Sequence, residues 1–96
     1  MTIDEFRASL ADPAPPEAPV ALKALWWAGK TEWDRAHELV QSCEGDPACD
    51  VVHAHLHRQE GDAANAGYWY RRAGRAVPST SLEQEWAALA TELLAA

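Results

Sequence analysis

Hydrophobic positions recur along this chain at intervals of three and four, with Gly, Pro and Asp between the periodic stretches, a pattern that predicts helices throughout and no strand. Ile3, Phe6 and Leu10 form a short first stripe. Residues 11–19 then hold four prolines in nine residues, which removes amide donors and pushes preceding residues out of the α region, so a stiff extended spacer is expected there. From Val20 to Ala28 the chain is apolar on nearly every side, which predicts a helix covered on more than one face. Gly29-Lys30 is expected to end it, and Thr31 to cap a second helix whose stripe is Trp33, Ala36, Leu39, Val40 and Cys43.

Asp46-Pro47 signals the start of a third helix, an acidic N-cap followed by proline at the first helical position, which runs to about Glu60 before Gly61. Asp62 is expected to cap a fourth, with Ala66, Trp69, Tyr70 and Ala73 inward and Val77-Pro78 closing it. Thr80-x-x-Glu83 resembles a capping box for a last helix whose stripe is Leu82, Trp86, Leu89, Ala90 and Leu93. The expected organisation is a short helical arm with its proline-rich linker (1–19) and one all-α domain (20–96). That domain holds hairpins at about 20–44 and 47–77 and a C-terminal helix at 81–95.

A shift of thirty residues superposes Ala36 on Ala66, Val40 on Tyr70, Cys43 on Ala73 and Trp27 on His57. The small-large-small order lets helices approach closely at the small residues. Gly61-Asp62, Ala66, Tyr70, Ala73 and Pro78, with the string Tyr68-Trp69-Tyr70-Arg71-Arg72-Ala73, resemble the tetratricopeptide (TPR) and Sel1-like repeat families. The resemblance is best over 47–78 and covers about two-thirds of the chain. It implies two antiparallel helical hairpins, a polar-backed C-terminal cap, and a protein-interaction function. His53 and His57 depart from it, standing where those repeats place Leu and Tyr. The stretch from His53 to Ala73 also resembles small bacterial helical proteins that bring no function with them.

The formal charge of −7 opposes binding to nucleic acid or to an anionic membrane surface. The acidic start Met1-Thr2-Ile3-Asp4-Glu5 lacks the order of a signal peptide, so the expected location is cytoplasmic, with Cys43 and Cys49 reduced. Cys49, His53 and His57 fall on one stripe of the third helix, and two His at i, i+4 can chelate a transition metal. Without a C-x-x-C pair, the plainer expectation is a packed, hydrogen-bonded His pair and no cofactor; a metal on His53, His57 and Cys49 is the alternative. His37 is expected on the solvated face, and His55 on the far side of the third helix.

No nucleophile elbow, phosphate loop or paired-carboxylate pattern is present, which argues against an enzyme. The His pair as general acid and base is the least supported role. Five Trp among 96 residues suggest an interface. The expected partner is a protein or peptide, or a second copy in a dimer, and the candidate contacts are His53, His57, Trp26, Tyr68 and Trp69.

Overall fold

The computed structural model describes all 96 residues and is entirely helical. Six α-helices follow one another: α1 (Ile3–Ala8), extended by a 3₁₀ turn at Ser9–Ala11, α2 (Val20–Gly29), α3 (Trp33–Gln41), α4 (Pro47–Gln59), α5 (Ala63–Arg72) and α6 (Leu82–Ala95). Helix α4 is the axis of the molecule. Every residue from Cys49 to His57 is buried, because α2, α3, α5 and α6 all lie against it.

Sequence signals set most helix ends. Asp46 accepts from the Ala48 amide ahead of Pro47, and Asp62 accepts from the Asn65 amide, satisfying amides that the first turn leaves without partners. The last capping box lies one residue later than expected, with Ser81 and Gln84 making the reciprocal bonds instead of Thr80 and Glu83. Leu82 consequently stays exposed, and Glu85 turns inward. Helix α5 ends at Arg72 with Gly74 in the left-handed region, several residues before Val77-Pro78.

Helix α2 ends at Gly29-Lys30 as expected; Gly29 is its last helical residue, and a Cβ there would lie 2.9 Å from the ring of Trp86. Its role is to let that indole approach. Thr31 does not cap α3 but takes the left-handed turn position itself, at φ 60°. The Thr31 amide donates to Ala28 O and the Glu32 amide to Trp27 O; thirty residues on, Gly61 donates to Arg58 O and Asp62 to His57 O. This is the Schellman arrangement of a helix C-terminus, found thirty residues apart at the ends of α2 and α4 and again after α5, where Gly74 donates to Arg71 O and Arg75 to Tyr70 O. The helices joined by the first two, α2 with α3 and α4 with α5, pack extensively on each other.

The N-terminal arm is docked rather than free. Phe6 is fully buried and stacks on Trp86 of α6, with ring centroids 5.7 Å apart. The Trp26 indole donates to Ser9 Oγ (2.9 Å), and Lys30 Nζ donates to the carbonyl of Asp12 (2.6 Å). The arm therefore covers α2, while its largest anchor is on α6. Trp26, expected as a partner contact, has no exposed surface.

The cysteines are also corrected. Cys43 and Cys49 form a disulfide, with Cα atoms 6.0 Å apart. Gly45, at φ 99°, turns the chain between α3 and α4 and brings the two positions within bonding reach. No helix is long and apolar enough to cross a membrane.

Candidate metal centre

The histidines of α4 divide between two faces. His53 and His57, four residues apart, point towards α3, where His37 meets them; His55 points towards α6. His37 is thus half-buried and part of the cluster, not on a solvated face. Sequence reading missed it because α3 places His37 between its polar and apolar stripes, and which side it joins depends on the rotation of α3 over α4.

The three imidazoles offer donor atoms that all lie within 4.8 Å of one another. His37 Nε2 and His53 Nε2 are 3.1 Å apart, so one donates to the other. Aromatic rings hold them in place: Trp33 stacks on His37 at 4.5 Å and Trp69 on His53 at 3.8 Å between centroids. Trp33 is itself fixed by its indole N–H, which donates to Leu56 O at 2.7 Å. His57 Nδ1 is 2.6 Å from Glu60 Oε2, which orients its ring. His53 Nδ1 is buried without any hydrogen-bond partner, a cost that native structures rarely leave uncompensated.

Burial favours the neutral forms of His53 and His37. Burial, followed by the neighbouring His37, His57 and Arg72 charges, pushes the His53 pKa down to about 4. Burial, with His57 next, also lowers that of His37. Neutral imidazole is the form that ligates a metal. Around a tetrahedral ion with bonds of ~2.0–2.1 Å, nitrogen donors sit roughly 3.4 Å apart. The His37–His53 pair is close to that separation, and the His57 donor lies within 4.8 Å of both. Cys49, the third ligand of the sequence-based alternative, is in the disulfide and unavailable.

His55 belongs to a different construction. Its Nδ1 is 2.7 Å from Glu85 Oε1, which also accepts from Arg58 at 3.0 Å, while Tyr70 Oη donates to Glu85 Oε2 at 2.5 Å. Burial raises the Glu85 pKa, but the bonds from His55, Tyr70 and Arg58 outweigh it and hold the carboxylate below its usual range. Burial and the bond to Glu85 push the Tyr70 phenol well above its ordinary value.

Comparison with protein-family models, curated proteins and solved structures returns no match for this chain.

Of the remaining predicted contacts, Trp69 is buried against His53, while Tyr68 is half exposed, with Arg72 over its ring. Tyr68 and Trp69 therefore do not form one continuous stacking surface. The signals that could have located the centre were present: three His on two consecutive helices, and a carboxylate three residues after His57.

Proposed function

We propose that this protein binds a divalent transition-metal ion on His37, His53 and His57. The observation that carries this reading is the convergence of three imidazoles from two helices, their donors all within 4.8 Å. The carboxylate behind His57 supports it. Metal-bound imidazoles usually have their second nitrogen on a carboxylate or carbonyl, the arrangement Glu60 makes with His57. An all-imidazole set suits zinc, copper or nickel rather than magnesium or calcium, which take oxygen ligands. Three protein ligands would leave a fourth position for water or another small ligand. His37, the least buried of the three, lies on the side from which an ion would enter.

Titration calorimetry with zinc chloride on tag-free protein tests this. One ion per chain is expected, with binding weakened at least tenfold in His37→Ala and His53→Ala variants that keep their helical circular dichroism. No binding to the wild-type protein, or binding undiminished in both variants, would reject it.

A second reading rests on the thirty-residue recurrence of the α2–α3 and α4–α5 turns, which supports a pair of TPR-like hairpins and hence a protein-interaction module. Two hairpins are fewer than the three such folds usually stack, so the docked arm and α6, or a second copy, would supply the remaining cover. Light scattering across a concentration series distinguishes a dimer from a self-covered monomer. A cytoplasmic site of action, expected from the sequence, would expose the Cys43–Cys49 bond to thiol reductants.

A further inference from the structure

We infer that the Cys43–Cys49 disulfide is a redox control on the three-histidine centre, so that opening it weakens metal binding; this rests on the metal-binding reading above. The centre spans two helices, and the same two helices are joined by the disulfide. His37 is on α3, whereas His53 and His57 are on α4, so the ion can be held only while α3 keeps its place over α4.

Helix α3 packs on α2 and is tied to α4 near both of its ends. It has nine residues and no side-chain cap at its start, and helices this short are marginal on their own. Two ties to α4 bracket His37. On the N-terminal side, the Trp33 indole holds Leu56 O; on the C-terminal side, Cys43 holds Cys49. Between Cys43 and α4 the chain passes through Ser42–Asp46, which is exposed apart from Cys43, with Gly45 at positive φ. With the disulfide open, the last turn of α3 keeps the packing of Val40 and the Gly45 amide bond to Asp50 Oδ1, but loses its covalent tie to α4. Fraying there moves His37 away from the other two imidazoles, and apparent affinity falls with the fraction of molecules in the three-ligand arrangement.

The chemistry needs only a small-molecule thiol. Cys43 is half-buried and reachable, whereas Cys49 is buried. A thiolate attacks Cys43 Sγ, the S–S bond breaks, and Cys49 leaves with the electron pair and takes a proton. A second thiol then displaces Cys43 from the mixed disulfide. The sum is two protein thiols and one oxidised external disulfide. Coupling is reciprocal, so a bound ion must also make the disulfide harder to reduce.

Zinc calorimetry on oxidised wild-type protein and on the Cys43→Ser/Cys49→Ser double variant, checked for helicity, gives the primary test. Binding five- to twenty-fold weaker in the variant is expected. Equal or tighter binding would overturn the inference while leaving the metal centre standing. No binding to the oxidised wild type would remove the centre itself. Should the double variant fail to fold, wild-type protein is equilibrated in glutathione buffers with and without zinc. A midpoint displaced towards more reducing buffer, and no longer displaced in His37→Ala, is expected. No displacement, the opposite displacement, or one that persists in His37→Ala overturns it.

Discussion

The two faces of α4 carry polar clusters of similar size, built on different terms. On the α6 face, the buried carboxylate of Glu85 accepts from His55, Arg58 and Tyr70, and each side chain has a charge-matched or hydrogen-bonding partner. On the α3 face, three imidazoles meet with no carboxylate among them except Glu60 at the edge, and His53 Nδ1 has no partner at all. The first arrangement is complete as it stands and holds helices together. The second gathers three nitrogen donors and leaves one buried nitrogen, His53 Nδ1, unsatisfied. Buried polar networks that are fully satisfied specify a fold, whereas a native cluster left partly satisfied points to use.

This contrast can be broken most severely at Glu85. Glu85→Ala would leave His55 and Tyr70 buried without their acceptor, and removal of one partner from such a set costs about 3–5 kcal/mol, read as a large fall in denaturation midpoint. His53→Leu provides the counterpart. In metal-free protein it should change stability by less than about 1.5 kcal/mol, since at similar volume it removes one unsatisfied nitrogen along with the single bond to the half-buried His37, while abolishing metal-dependent stabilisation. If the two substitutions destabilise equally, the distinction between the faces fails.

Acid sharpens the same comparison. His53 and His37 bind protons less readily folded than unfolded, because burial disfavours their charged forms. Their contribution to stability is therefore fully present above the unfolded value near 6.5 and is lost as pH falls from there towards about 4, the folded value of His53. Glu85, with its pKa lowered, keeps its contribution until more acid conditions, below the unfolded carboxylate range. Denaturation midpoints measured between pH 7 and 4 should fall, and the slope should be shallower in His53→Leu. A slope unchanged by that substitution would contradict the assignment.

The smallest effect concerns the recurring turn. Thr31 occupies at φ 60° the position that Gly61 fills at φ 87°. A β-branched residue there is strained, and Thr31→Gly should raise stability by roughly 0.5–1 kcal/mol in a thermal melt, whereas Gly61→Thr should lower it.

Helix number and most boundaries were legible in the sequence because they depend on local chemistry. Asp46-Pro47, Asp62 and Gly61 act within a few residues of themselves. Where local signals compete, packing decided. Gly29 ends α2 as its position suggests, but the lack of room for a side chain there follows from the Trp86 ring, a neighbour remote in the chain. His53 and His57 could be placed together from their spacing on one helix. His37 could not, because its inclusion depends on how α3 is rotated on α4, and neither could Glu85, whose burial follows from partners on α4 and α5. The cysteines were assigned from an expected compartment, while their pairing follows from the geometry of the turn between α3 and α4.

The clasp between the two ends of the chain has a kinetic consequence. Phe6 meets Trp86, and Arg7 reaches Glu83, across nearly the full length of the sequence. Contacts of that span must close the largest loop available to the chain, whereas the α2–α3 and α4–α5 turns close short ones. The hairpins should therefore form before the rate-limiting barrier and the clasp after it. A Phe6→Ala substitution would then act mainly by speeding unfolding, with little change in the folding rate, making the arm a latch on the lifetime of the native state.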